Sequence, residues 1–262
     1  MNISLKGRTA LVGGSTRGLG KAIAMQLAAS GATITLMARN EEKLKSVLDE
    51  LPSGEGQLHE YLVVDFADFE KCKDIVSAYF QTKKIDILVN NTNGPAAGGV
   101  LQKSIDDYQR SFDLLFKTVV FITMEALKGM QHNQFGRIIN LASITVREPS
   151  PNLVLSNSIR SAVASWAKTL SRDIAPEGIT VNNILTGYFD TERLDEINNL
   201  QSANKGISLQ EFKDQMKLQV PARRFGRPEE FGWLVAFLAS EQAAYITGAN
   251  IPIDGGLLKS AG

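Results

Sequence analysis

Residues 9–20 read Thr9-Ala-Leu-Val-Gly-Gly-Ser-Thr-Arg-Gly-Leu-Gly20, an uncharged apolar run that breaks into glycines. The run through Leu11 and Val12 predicts a strand buried on both faces. Gly14, Gly18 and Gly20 follow in GxxxGxG spacing. From Lys21 to Ser30 the apolar residues Ile23, Leu27 and Ala28 share one helical face, and Gly31 supplies a stop. A second apolar run, Thr33–Ala38, completes a βαβ unit of about 30 residues. In that setting one glycine allows a tight turn, one lets the backbone approach a pyrophosphate, and one lets the helix pack close to the sheet. The free N–H groups and dipole at the helix N-terminus favour an anion. The turn Gly14, Ser15, Arg17, Gly18, Leu19 and Gly20 is therefore a candidate dinucleotide site. A glycine loop that enters a helix and binds nothing is the plain alternative.

The same alternation continues along the 262 residues. Further strands are expected at 58–64, 85–90, 136–142 and 178–185, and a last one within 246–256. Helices are expected at 40–51, 67–82, 106–130 and 156–174, with another opened by Pro228 at a first-turn position. Alternating βα units with right-handed crossovers give a single Rossmann-type, doubly wound parallel α/β sheet with helices on both faces. No composition break divides residues 1–262, so one dinucleotide-binding domain is expected. The stretch from about 186 to 227 is too long for a plain connection. It holds one short predicted helix near 209–216 and apolar Leu194, Ile197, Leu200, Phe212, Met216 and Leu218, and is read as a lid-like insertion. A helical excursion that only packs is the simpler reading. The long 106–130 helix carries an apolar stripe that can face a second subunit, so a homo-oligomer, a dimer or tetramer, is expected.

Composition removes other classes. Lysines plus arginines equal aspartates plus glutamates at 28 each, so there is no basic excess for nucleic acid. The one cysteine, Cys72, cannot form an internal disulfide and fits a reducing compartment. No basic-plus-apolar leader opens the chain, and no run reaches the ~18 apolar residues of a membrane span. A cytoplasmic location without membrane or nucleic-acid partners is expected. His59 and His132 are isolated, so no metal site is expected.

Over its whole length the sequence resembles the short-chain dehydrogenase/reductase family, in its single-domain, 3-oxoacyl-ACP-reductase-like form. The carriers are Gly14, Gly18 and Gly20, with Gly13 where the family has threonine, and Asp65 at the end of the third strand. Asn90-Asn-Thr-Asn-Gly94 is similar to the family's Asn-Asn-Ala-Gly element. Thr186-Gly187 followed by Thr191 is similar to its Pro-Gly…Thr element. Ile246-Thr-Gly248 and Asp254-Gly-Gly256 match the C-terminal pattern. The resemblance implies that Asp65 meets the adenine, that Asn91, Gly187 and Thr191 border the cofactor, and that hydride moves between nicotinamide and a carbonyl carbon.

The end of the second strand, Ala38-Arg39-Asn40, lacks the carboxylate that holds the ribose hydroxyls in NAD sites. Arg39, with Arg17 on the same side, suits a 2′-phosphate by charge and fork geometry. NADP(H) is therefore favoured over NAD(H), two solvated surface arginines being the alternative.

At the family's catalytic positions the residues differ. The serine is Ser143. Where Tyr-x-x-x-Lys is expected the chain has Ser156-Asn-Ser-Ile-Arg160, in register with Lys168-Thr-Leu-Ser-Arg172 downstream. The helical asparagine falls at Leu115. A phenol ordinarily titrates near 10, and a nearby cation lowers it. A serine hydroxyl is a far weaker acid, and arginine stays charged and cannot relay a proton. Losing a positioned acid costs typically ~10²–10⁴ in rate. Ser143, Ser156 and Arg160 are the catalytic candidates, and Arg160 also fixes the ribose. The expected activity is NADP(H)-dependent carbonyl/alcohol interconversion, with a 3-oxoacyl thioester as one hydrophobic or acyl substrate. An NADP(H)-binding sensor or partner subunit without turnover is the alternative, and other chemistry on the same scaffold a third. Tyr188 and Lys117 are weaker candidates, and Asp106-Asp107 reads as helix-terminal charge.

Overall fold

The computed structural model describes residues 3–54 and 56–260. In chain order the elements are β1 (Thr9–Gly13), α1 (Gly18–Ala29), β2 (Thr33–Ala38), α2 (Glu41–Glu50), β3 (Glu60–Val63), α3 (Phe69–Thr82), β4 (Ile87–Asn90), α4 (Ile105–Phe112) and α5 (Thr118–Asn133). There follow β5 (Gly136–Leu141), α6 (Val154–Ile174), β6 (Ile179–Thr186), α7 (Glu192–Lys205), α8 (Leu209–Gln219), α9 (Pro228–Ala239) and β7 (Asn250–Ile253). The sheet order is β3-β2-β1-β4-β5-β6-β7, and the paired strands run parallel. The order reverses between β1 and β4, and a crevice at such a reversal is where doubly wound sheets bind ligands.

The period-two geometry of β1 explains the two layers. Val12 points into a core with Ile23 and Leu27 of α1, Leu44 of α2 and Phe231 of α9. Its neighbour Leu11 points into the other core, with Cys72 of α3, Ile122 of α5 and Ala167 of α6. Both are fully buried, as an uncharged central strand requires. Helix starts follow local capping chemistry: Asn40 Oδ1 accepts from the Lys43 N–H at 2.8 Å, and Asp68 Oδ1 from the Lys71 N–H at 3.3 Å.

One buried polar feature crosses the sheet. Asn90, Asn140, Asn183 and Asn250 share a rung of β4, β5, β6 and β7. Asn90 Nδ2 donates to Asn140 Oδ1 at 2.8 Å, Asn140 Nδ2 to Asn183 Oδ1 at 2.9 Å, and Asn183 Nδ2 to Asn250 Oδ1 at 2.8 Å. Asn90 Nδ2 also donates to Thr123 Oγ1 of α5 at 3.0 Å. The amides satisfy one another, and Asn90, Asn140 and Asn183 are buried.

Three expectations are corrected. The helix foreseen over 106–130 is α4 and α5 joined by a π-helical segment, Asp113–Lys117. Asp113 O there accepts both the Thr118 N–H, the bond of the wider turn, and Thr118 Oγ1 at 2.8 Å. The 186–227 stretch holds two helices, α7 and α8, rather than one. The mixed composition of α7 hid it: its buried positions are Asn198 and Ser202, so no apolar period announces it. Finally, β7 begins only at Asn250, because the chain bends at Gly248, φ +69°, whose N–H bonds Val181 O at 2.7 Å.

Cys72 is fully buried on α3, and burial pushes its thiol up to about 11. Thiolate chemistry is therefore suppressed at neutral pH. Iodoacetamide at pH 8 is expected to leave Cys72 unmodified in the folded protein and to label it fully in denaturant. Rapid labelling of the native chain, read by mass spectrometry, would contradict that burial.

Candidate functional site

The site begins where β1 ends. Gly14 turns the chain with φ +57°, in the left-handed region. From the end of β4, Asn91 Nδ2 donates to Gly13 O at 3.0 Å and to Gly14 O at 3.4 Å. Asn91 thus fastens the glycine turn across the reversal point. Gly20 lies so close that a Cβ there would stand 2.1 Å from Gly14 O. Ser15 is directed inward: its fully buried Oγ accepts from the Met37 N–H at 3.0 Å and ties the turn to β2. Its side chain is spent on the protein. The N-cap of α1 is Arg17, with no side-chain capping bond, so the first N–H groups of α1 face the cleft uncapped.

Two cavities meet at this turn. One, of about 380 Å³, is lined by Arg17, Arg39, Asn40, Lys43, Asp65 and Phe66. Asp65 Oδ1 accepts from the Ala67 N–H at 3.0 Å, and its carboxylate is the acid on this lining. Lys43 was missed in the sequence, where it reads as an ordinary exposed residue of α2. The Asn40 cap sets the start of that helix and brings Lys43 beside Arg39. Three cations around a space at the end of β2 fit a phosphorylated ribose. The clash that any Cβ at Gly20 would cause fits a backbone cradle for a pyrophosphate.

The second cavity, about 320 Å³, joins the glycine turn to Ser143, Ser156 and Arg160. Ser143 follows β5 and caps a short 3-10 turn, Ile144–Val146. Its Oγ accepts from the Thr145 N–H at 3.2 Å and sits 3.0 Å from Thr145 Oγ1, which donates to it. Ser143 can then turn its own hydrogen toward an oxygen in the cleft. Ser156 and Arg160 stand one turn apart on α6, on one face. Arg160 Nη1 donates to Leu141 O, one residue past the asparagine rung. Burial lowers its guanidinium to about 10, so it remains a cation at neutral pH. Among the described residues no carboxylate pairs with it. Behind it, a cavity of about 10 Å³ lined by Asn90, Thr92, Leu115 and Asn140 has room for about one water. Leu115 lies in the π-helical segment and is buried there.

The far wall comes from the chain after β6. A Cβ on Gly187 would lie 2.6 Å from Asp254 Cα, so only glycine permits this close pass. Thr191 caps α7, accepting from the Leu194 N–H at 3.3 Å, while its methyl group faces Gly18. Phe189, Leu194 and Ile197 give the cleft an apolar side, with Leu153 and Pro95 opposite. Leu200 and Leu218 are exposed. Arg17 also borders this cleft, and its Nη1 pairs with Glu196 Oε1 of α7 at 2.5 Å.

The remaining candidates are occupied elsewhere. Tyr188 packs edge-on against Phe225, 6.3 Å between ring centres, and burial raises its phenol. Lys117 Nζ sits 3.7 Å above the Phe69 ring. His59 accepts from the Ile34 N–H at 3.0 Å and faces Pro52 O with its other nitrogen. Asp107 completes a capping box with Ser104, whose N–H and O–H, with Arg110, hold its carboxyl down at about 2. Among the described residues no group of three metal-ligating side chains occurs, and no helix is long and apolar enough to cross a membrane. A further cavity, about 640 Å³, lies behind α1 between Lys21, Met25, Pro52, Asp195 and Pro228, away from Ser143 and Arg160.

Comparison with known proteins agrees with this geometry. A family profile described as enoyl-(acyl carrier protein) reductase matches residues 14–258. The NADPH-dependent reductase BacG of Bacillus subtilis is 34% identical over 97% of this chain and 98% of its own. A 3-oxoacyl-acyl-carrier-protein reductase, FabG of Rickettsia conorii, is 32% identical over 98% of this chain and 99% of its own. The crystal structure of L-sorbose reductase from Gluconobacter frateurii, complexed with NADPH and L-sorbose, superposes with a TM-score of 0.92 at 28% identity, covering 99% and 100% of the two chains. With a doubly wound sheet, a glycine turn at its reversal point and full-length relatives of this kind, the chain belongs to the short-chain dehydrogenase/reductase family, in its single-domain 3-oxoacyl-reductase-like form.

Proposed function

We propose that this protein is an NADP(H)-dependent oxidoreductase that interconverts a carbonyl and an alcohol, with Ser143, Ser156 and Arg160 as its catalytic residues. The observation that carries the reading is that these three side chains share one cleft with the Gly14–Gly20 turn. Arg17, Arg39 and Lys43 around the adjoining cavity support NADP(H) over NAD(H). The NADPH-dependent relatives support the same cofactor.

When bound, the nicotinamide supplies or accepts the hydride. Ser143, fixed by Thr145, donates its hydrogen bond to the substrate oxygen and stabilises charge that develops there. Arg160, held by Leu141 O, offers its other donors to the nicotinamide ribose and adds a fixed positive charge. Ser156 stands where the family places a phenol, and its hydroxyl holds a water that exchanges the proton with the substrate oxygen. The apolar side formed by Phe189, Leu194 and Ile197 suits an acyl chain, and the FabG relatives support a 3-oxoacyl thioester. In this reading α7 and α8 act as a lid over the cleft. Exposed Phe112 and Met124 along α4 and α5 support a homo-oligomer, and the free, buried Cys72 supports a reducing, cytoplasmic setting.

A second reading, cofactor binding without turnover, is favoured by one observation: no side chain on the cleft lining carries a phenol. Following NADPH absorbance across a panel of aldehydes, ketones and 3-oxoacyl thioesters separates the two. Turnover on at least one class is expected, with Ser143→Ala lowering kcat about 10²–10³-fold. Tight NADPH binding with no turnover on the whole panel would establish the second reading.

A further inference from the structure

Arg17 is claimed from two sides. It borders the cavity shared with Arg39 and Lys43, and it also borders the cleft below α7. Its Nη1 lies 2.5 Å from Glu196 Oε1, and the second oxygen of Glu196 lies 3.2 Å from Arg193 Nη1. Glu192 is close as well: its Oε2 stands 3.7 Å from where a Cβ on Gly18 would be. The first two turns of α7 therefore bring two carboxylates to the N-terminal end of α1, a place whose dipole and free N–H groups attract anions. The other ion pair of α7, Asp195 with Lys213 Nζ at 2.7 Å, runs to α8, so Glu196 is the carboxylate of α7 that pairs with the glycine turn.

We infer that Glu196 is a specificity-determining residue for the cofactor: its carboxylate occupies the Arg17 guanidinium, and the 2′-phosphate of NADPH must displace it. The inference rests on reading the Arg17–Arg39–Lys43 cavity as the 2′-phosphate site. A guanidinium presents a limited fork of donors, so one already bonded to a carboxylate meets a phosphate with fewer of them. NADH, which carries no 2′-phosphate, makes no demand on that fork. Glu196 thus weakens NADPH binding selectively and narrows the preference that Arg39 and Lys43 create. Displacing it also frees one tether between α7 and the glycine turn.

Full-length wild type, Glu196→Gln, Arg17→Gln and the double variant are titrated with NADPH and with NADH by nicotinamide fluorescence. Glu196 is half exposed, so its amide variant leaves the core untouched. Glu196→Gln is expected to tighten NADPH about two- to five-fold, the range of an exposed ion pair, and NADH by less than half that factor. In the Arg17→Gln background the same change is expected to do nothing selective. Equal tightening of both nucleotides, or no tightening, overturns the inference and leaves the contact as a seat for α7. Wild type that binds NADH as tightly as NADPH removes the 2′-phosphate reading itself, and this inference with it. A wild-type preference for NADPH that Glu196→Gln leaves unaltered sinks this inference alone.

Discussion

Gly20→Ala is expected to abolish measurable NADPH binding and to destabilise the fold by about 3 kcal/mol, the upper end of overpacking costs. The added carbon would stand 2.1 Å from Gly14 O, 2.7 Å from Gly14 C and 2.8 Å from Asn91 Nδ2. None of these can give way cheaply. Two are backbone atoms of the turn itself, and the third is the amide that ties the turn to β4. Relieving the clash means moving α1 off the sheet or breaking the Asn91 contacts, and either dismantles the anion cradle. Fluorescence titration with NADPH and a urea midpoint measure the two effects. Gly7→Ala provides the contrast. Its φ of +80° makes alanine strained, but nothing lies within 4 Å of the added carbon. It is expected to cost about 1–2 kcal/mol and to leave the NADPH affinity unchanged. Binding by Gly20→Ala within two-fold of wild type would remove the glycine turn from the cofactor site.

Asn140→Leu is expected to cost about 2–4 kcal/mol, although leucine keeps the branched shape and the number of side-chain heavy atoms. Asn140 sits at the centre of the amide rung. It accepts from Asn90 Nδ2 and donates to Asn183 Oδ1, and all three are buried. Leucine leaves Asn183 Oδ1 without that donor and takes one acceptor from Asn90, which keeps Thr123. Each orphaned buried group costs about 1–3 kcal/mol. Because leucine is no smaller than asparagine, a cavity cannot account for the loss. In a chain of this size the melting temperature should fall by roughly 5–15 °C. A shift corresponding to less than about 0.5 kcal/mol would show that the rung is a passenger of the sheet. Since Leu141 O, the next carbonyl of β5, holds Arg160, the same variant is also expected to loosen the cleft floor.

Much of this architecture is legible along the chain, and particular residues show why. Uncharged β-branched and aliphatic runs at Thr9–Gly13 and Thr33–Ala38 mark central strands, because they carry no charge that would need water. The glycine spacing and Gly31 mark where α1 begins and stops. The lack of a carboxylate at Ala38-Arg39-Asn40, and serine and arginine in place of tyrosine and lysine at Ser156 and Arg160, are facts of residue identity. What stays illegible lacks a local period or depends on distant partners. Helix α7 went unseen because its buried face is Asn198 and Ser202. The π-helical segment at Asp113–Lys117 leaves the apolar stripe intact while changing the hydrogen-bonding around it. Ser15 reads like its cleft-facing neighbours until β2 is set beside β1 and the Met37 N–H claims its hydroxyl.

By itself, then, the sequence determined the doubly wound sheet, the glycine turn at its reversal point, the cationic end of β2 and the Ser156-x-x-x-Arg160 pattern without a tyrosine. Each is carried by residue type and spacing within a few turns or one strand. Only the tertiary structure decided that Arg17 is shared with Glu196, that Arg160 hangs from Leu141 O, and that four asparagines on four strands form one chain of amides. Those outcomes depend on strand register and helix packing, which bring together residues up to 179 positions apart, and no local pattern encodes such a distance.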